Sequence, residues 1–481
     1  MAKTKKSTFE RLREGNLNRS ERRQRTRRLS SEAGLEMMHP DAAGVDVGNA
    51  SHFAAVPPDR ALQPIREFGS WTQDLERMGK WLKECGIKTV ALQSTGVYWI
   101  AVQEVLEKAG LEVFLVNARG TKNLPGRKSD VQECEWLRKL HSYGLLRNSF
   151  RPPVEIQAVR TVWRHRDRVV KEAGEAVQQM QKALTKMNVQ LANVISDISG
   201  MTGMSIIRAI VGGQRDPRAL AKLRDPRISA SEEEIVRSLE GTWREDVLWE
   251  LQQVLAAYDF QQGQLAECDK KLQAYLGALP EREMIASAAA PEPADAKARK
   301  RRRAKQTHKS KNEPTFDLKA ELRRKMGVDL TTIDGINAMT AQMVFAELGA
   351  DLSAFPDEDH FCSWLMLAPR QNVTGGKVIG RSRARGRNRV AAALRMAAES
   401  LHGSETYLGA RYRQFRSRME GVAAIKAMAR YLACLIYRMV TKGQAWVDRG
   451  AAHYESKRQE RELKALQRKA ANMGMRLVPS S

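Results

Sequence analysis

Three acids stand where acids are either costly or aligned. Asp46 lies inside the apolar run Ala-Ala-Gly-Val-Asp-Val-Gly-Asn, and a carboxylate buried in such a strand is costly unless it is paired or bound to metal. Asp130 and Glu133 are three residues apart on an expected helix, so both point to one face. Carboxylates from a first strand and a later helix could converge on a divalent cation, which takes oxygen ligands. Two such ions activate an attacking oxygen and stabilise a leaving one during in-line phosphoryl transfer. Singly each acid says little, because an Asp-x-x-Glu pair is equally at home on a solvated helix face. A second constellation is basic: Lys377, Arg381, Arg383, Arg385, Arg387 and Arg389 alternate with small residues, a pattern that can follow a phosphate backbone or stabilise charge at a scissile phosphate.

The placement of charge points the same way. The net charge is +25, and three segments hold nearly all of it: residues 1–29 carry 11 Lys/Arg against 3 Glu, residues 297–311 carry 9 and residues 369–389 carry 7, the last two with no acid. Concentrated positive charge is the footprint of a polyanion, because each Lys or Arg on a phosphate releases condensed counterions. No stretch approaches the roughly 20 apolar residues that span a bilayer, and no apolar signal region follows the basic N-terminus. The expectation is a soluble intracellular protein, cytoplasmic and nucleoid-associated, with nucleic acid and no membrane as partner. The five cysteines, Cys85, Cys134, Cys268, Cys362 and Cys434, form no CxxC pair and read as core residues of a reducing compartment.

The elements that must position the acids can be read from periodicity. Ala42–Val47 and Ser51–Val56 read as strands around a Gly48-Asn49 turn, with Pro64–Phe68 as a third. Thr72–Glu84 has helical spacing, Thr89–Gln93 is an apolar strand, Trp99–Ala109 a helix, Leu111–Val116 a strand, and Ser129–Tyr143 a helix. Three leading strands followed by alternating helix and strand predict an α/β sheet covered by helices over 39–150, preceded by a basic arm, 1–38. Over 151–280 the period changes to a coiled-coil seam. Val170, Ala173, Val177, Met180, Leu184, Met187, Leu191, Val194 and Ile198 keep 3-4 spacing, which extends back to Ile156 with Arg166 as the exception. A second seam runs from Leu251 to Leu279, and the two could pair with each other or with another protomer. Residues 281–318 read as a basic linker, 319–450 as a mostly helical domain containing a Gly/Arg-rich loop at Pro369–Asn388, and 451–481 as a charged tail. Leu330 to Gln342 resembles a helix–hairpin–helix, in which Gly335 permits the tight turn and the next helix N-terminus could receive a phosphate.

The segments Ala-Gly-Val-Asp46-Val-Gly-Asn, Gln93-Ser-Thr-Gly-Val-Tyr-Trp99 and Gly126-Arg-Lys-Ser-Asp130-Val-Gln-Glu133-Cys-Glu-Trp136 together resemble the DEDD insertion-sequence transposases. The resemblance covers roughly residues 40–450. It implies a ribonuclease-H-like (RuvC-like) N-terminal domain, a long helical coiled coil and a C-terminal transposase domain. It also implies Mg²⁺ held by Asp46, Asp130 and Glu133, with Gln93 standing where the family has its second acid. Gln offers a carbonyl oxygen but no charge. Trp364-Leu-Met-Leu-Ala-Pro369 and Asn372-Val-Thr-Gly-Gly-Lys377 resemble the family's second catalytic segment, where a serine before glycine attacks DNA; Thr374 occupies that place. A threonine hydroxyl can be a nucleophile when a base or metal activates it, although its β-methyl crowds attack. As a turn residue it could instead bond its own backbone. Ser382 is a second hydroxyl outside the motif.

The resemblance further implies DNA as substrate, a structured bridge-type guide RNA as second partner, and a dimer or tetramer. Two other functions fit the same residues. One is a junction nuclease that uses the carboxylates and activated water. The other is a copy that binds RNA or DNA without turnover, since Gln93 and Thr374 replace two family residues.

Overall fold

The computed structural model describes residues 36–94, 96–117, 130–284, 312–375, 377–382, 388–443 and 450–476. The basic arm up to residue 35, most of the 281–318 segment, and Arg383, Arg385 and Arg387 lie outside the described residues. The chain divides into two compact units, Met1–Phe150 and Arg151–Ser481.

In the first unit β1 (Ala42–Val47), β2 (Ser51–Ala55), β3 (Ile65–Gly69), β4 (Thr89–Ser94) and β5 (Glu112–Asn117) form one sheet of order β3-β2-β1-β4-β5. The first three strands make an antiparallel meander, and β4 and β5 run parallel to β1. Side chains alternate between the faces of a strand. Ala43, Val45 and Val47 therefore face one side, where Leu75, Met78 and Leu82 of α1 (Thr72–Glu84) and Val102 and Leu106 of α2 (Trp99–Lys108) bury them. Gly44 and Asp46 face the other side, under α3 (Asp130–Ser142), whose Leu137 packs with Ala91 and Val116. This is a ribonuclease-H-like fold, and each expected strand and helix of this unit is present within a residue or two of its expected ends.

The second unit opens with α4 (Val154–Lys186), then a small lobe of α5 (Met201–Val211), α6 (Pro217–Ala221) and α7 (Glu232–Ser238), then α8 (Glu245–Ala278). Lys186 bonds Glu250 at 2.7 Å and Arg166 bonds Asp269 at 2.6 Å, so α4 and α8 lie antiparallel and pair within one chain. The heptad reading carried the first helix too far. Helix α4 stops at Lys186, Asn188 takes a left-handed conformation with φ 59°, and Leu191, Val194 and Ile198 fold back into the lobe's core with Ile206, Ile207 and Leu239. Their apolar spacing serves that core, and spacing alone does not tell a helix seam from a lobe packed on its end. Arg166, the exception in the seam, is buried with its partner Asp269. Asp269 also accepts the Thr315 amide at 2.9 Å, and Arg166 donates to the Asn312 carbonyl at 2.9 Å.

The remainder is helical: α9 (Leu318–Met326), α10 (Ala338–Leu348), α11 (Glu358–Trp364), α12 (Arg389–Glu399), α13 (Tyr407–Arg418), α14 (Gly421–Lys442) and α15 (Gly450–Asn472). Arg164 makes two bonds, 2.8 and 2.7 Å, to the buried Glu347 carboxylate of α10. Lys325 of α9 donates to the Leu279 carbonyl at 2.6 Å. These bonds fix the helical pair at its open end. Pro369–Asn388, expected as a loop, instead holds a hairpin of β6 (Arg370–Thr374) and β7 (Lys377–Ser382), with Gly375 in the left-handed region, φ 56°, just after β6. All five cysteines are buried free thiols, as their scatter predicted. Among the described residues no helix is long and apolar enough to cross a membrane.

Candidate active site

Asp46 and Gln93 are neighbours by register. The β1–β4 ladder pairs Val45 with Leu92, so the next residues lie side by side at the C-terminal ends of two parallel strands, both turned towards α3. Helix α3 runs antiparallel to these strands. Its last turn is tied to the starts of both strands: His141 Nε2 and Thr89 Oγ1 of β4 lie 2.9 Å apart, and the amide of His39, just before β1, donates to the Ser142 carbonyl. Its first turn, carrying Asp130 and Glu133, therefore reaches the far ends of β1 and β4. Acids in that turn are also favoured by the helix dipole. The Gln93 side-chain amide donates to Glu133 Oε2 at 3.3 Å, which joins β4 to the helix at this point.

The electrostatics show that the three acids share one neighbourhood. Burial first, then the Glu133 and Asp130 charges, push the Asp46 carboxyl up to about 6, against a backbone bond from Val47 that favours its charge. The Cys134 thiol, on the same side of α3, is driven to about 12 chiefly by burial and also by Asp46; it stays protonated and is no nucleophile at neutral pH. Asp46, with the Glu133 and Asp130 charges acting on it, belongs to a hard, all-oxygen donor set that a cation's charge would complement. The donor chemistry therefore fits a divalent ion. Among the described residues, however, no three His, Cys, Asp or Glu side chains already converge within ligating reach of one point.

The remaining expected site residues lie in the second unit. Thr374 ends β6, pairs with Lys377, and is exposed beside Gly375, whose φ is 56°. The hairpin thus presents a hydroxyl-bearing residue at its tip. Lys377 and Arg381 are carried by β7, which ends at Ser382. Arg389 departs from the basic row: it begins α12, and its guanidinium bonds Asp167 of α4 at 3.1 Å. Gly335 takes φ 84°, and a Cβ there would sit 2.7 Å from the Ala397 carbonyl. The hairpin between α9 and α10 is thus pressed onto α12, which by itself requires glycine at this position. The N-terminus of α10 is capped by the Asn337 side chain, which accepts the Thr340 amide at 2.9 Å.

Sequence reasoning passed over Gly44. A Cβ there would stand 2.3 Å from the Cys134 carbonyl and 2.4 Å from the Arg138 amide. Helix α3 lies directly on β1 only because residue 44 has no side chain, and that contact sets the height of the two acids above Asp46. A glycine inside a strand marks close backbone approach, so the signal was present two residues before Asp46.

A ribonuclease-H-like sheet with acids from its first strand and a covering helix defines a class of domain that handles polynucleotide backbones. Residues 43–189 match the transposase family model DEDD_Tnp_IS110, and residues 329–413 match the model described as Transposase IS116/IS110/IS902 family. The chain belongs to the IS110 family of DEDD transposases: it is an enzyme of mobile insertion sequences that acts on DNA. No curated protein matches the chain.

Proposed function

We propose that this transposase cuts and rejoins DNA strands through a split site. Asp46, Asp130 and Glu133 would hold Mg²⁺, with the Gln93 side chain beside them. The ion would supply Lewis-acid stabilisation of charge on the scissile phosphate. Thr374, from the same or another protomer, attacks the phosphorus; a bond forms to its Oγ and the bond to the leaving sugar oxygen breaks. The hydroxyl's proton passes to a base, for which the site's carboxylates serve. A phosphoester to the protein conserves the bond energy, so strand exchange can follow in place of hydrolysis.

The observation that carries this reading is that the Asp46 carboxyl, at the C-terminal end of the central strand, is raised by burial and by the Glu133 and Asp130 charges, while the Gln93 amide beside it bonds Glu133 at 3.3 Å. The row from Lys377 to Arg387 would track the phosphates, and Gly335 would let the next helix N-terminus approach one. A structured guide RNA is the expected second partner, since base pairing would supply the sequence choice for which the described residues show no dedicated base-reading module. Exchange between two DNAs requires a homo-oligomer.

The test is to trap a protein–DNA adduct on a nicked substrate with Mg²⁺. Adduct is expected with the unaltered protein and with Thr374→Ser, and none with Thr374→Ala or Asp46→Asn. Mg²⁺-dependent cleavage that survives Thr374→Ala without adduct would assign attack to water and make the protein a nuclease.

A further inference from the structure

Helices α13 and α15 enclose a cleft of about 380 Å³. The helices are joined on one side by aromatic rings: Tyr407 meets Tyr454 edge-on at 4.9 Å, and the Tyr454 hydroxyl donates to Gln414. Phe415 and Arg411 complete the inner wall, the Arg411 guanidinium lying 5.4 Å from the Phe415 ring and 3.9 Å from that of Tyr431. The rim is cationic, with Arg418, Lys457, Arg458 and Arg461 against Glu462 in the lining, while Lys457 also pairs with Glu460 at 3.2 Å and Arg458 with Glu455 at 3.6 Å just outside it. Glu462 lies between Arg418 at 3.5 Å and Arg458 at 3.8 Å. Among the described residues no carboxylate pairs with Arg411 or Arg461, so the cleft carries uncompensated positive charge. The family match in this part of the chain ends at residue 413, before most of the lining.

We propose that this cleft binds single-stranded DNA. Cations that track phosphates together with aromatic faces that take bases are the two components of single-strand recognition. A duplex hides its base faces in the stack and could satisfy only the rim. An acidic peptide would likewise use the cations and leave Tyr407 and Phe415 unused. DNA is the nucleic acid on which this enzyme acts. The inference does not depend on the catalytic reading, because it concerns binding only.

The experiment measures fluorescence anisotropy of a short labelled oligodeoxynucleotide with full-length protein carrying Asp46→Asn, so that strand cleavage does not enter. Lys457→Glu/Arg461→Glu should weaken binding at least ~10-fold and reduce the salt slope by roughly 1.4, about 0.7 for each single-strand phosphate that is no longer neutralised. Arg468→Glu/Lys469→Glu, which makes the same charge change further along α15, should stay within about 2-fold. An abasic strand of equal length should bind the parent protein about 5-fold or more weakly, the lower end of what stacking one base contributes. The proposal is overturned if the control pair weakens binding equally, if the abasic strand binds as well, or if RNA or an acidic peptide loses more affinity than DNA on Lys457→Glu/Arg461→Glu.

Discussion

Asp46→Asn should make the metal-free first unit more stable at alkaline pH, although it removes a central acid of the site. The carboxyl is held at about 6 against an ordinary 3.8. A folded-state value above the unfolded one means that the stability tied to this group is fully present below the unfolded value and is lost as pH rises through about 6. The shift corresponds to at most ~3 kcal/mol at ~1.4 kcal/mol per unit. Asp46 is only partly buried, so solvent screening brings the figure to ~1 kcal/mol, or about 4 °C in the Tm of a domain this size. Thermal unfolding of parent and variant in EDTA at pH 8 and pH 4.5 checks this. The variant should melt higher at pH 8, and the gap should narrow at pH 4.5, where Asp46 of the folded parent is protonated. Added Mg²⁺ should then raise the parent's Tm at pH 8 more than the variant's. A variant that melts at or below the parent at pH 8, or a gap that persists unchanged in acid, would refute the argument that burial and the neighbouring Glu133 and Asp130 charges raise the Asp46 carboxyl.

Gly44→Ala should lift α3 from β1 and cost ~1–3 kcal/mol through overpacking; strand cleavage should fall with Asp46, Asp130 and Glu133 all intact, and retained full cleavage would show that α3 need not sit so close. Gln93→Glu adds a fourth negative donor where the amide now meets Glu133. It should tighten divalent-ion binding, read by calorimetry, and lower the Tm of the metal-free protein. Asp269→Ala leaves the Arg166 guanidinium buried without its partner and frees the Thr315 amide. The expected cost is ~3–5 kcal/mol, seen as a lower midpoint for the second unit in denaturant; Arg166→Met with Asp269→Leu should recover much of it.

The first unit was legible because each of its elements has one dominant period. Alternation placed Gly44 and Asp46 on one face of β1, and the i, i+3 spacing placed Asp130 with Glu133 on one face of α3; that the two faces oppose one another followed once the sheet order was known. What spacing could not supply was the height of α3 over the sheet, which depends on a missing side chain at Gly44. The second unit was harder. Apolar residues at 3-4 intervals continue from Met187 to Ile198, but a single left-handed residue, Asn188, redirects them into a separate core. The hairpin at Arg370–Ser382 went unread as strand because its Gly and Arg content resembles a loop, and the strand pairing rests on backbone bonds that composition does not advertise.

The antiparallel pairing of α4 and α8 gives the chain a lever. Each helix is roughly 50 Å long at about 1.5 Å per residue. Its open end is clamped by Arg164, Glu347 and Lys325, and the small lobe sits at the other end, where the chain goes out along one helix and comes home along its partner. A tilt of about 5° at the clamp would sweep the lobe through roughly 4 Å over that length. Any small adjustment among α9 and α10 would be magnified at that distance by geometry alone.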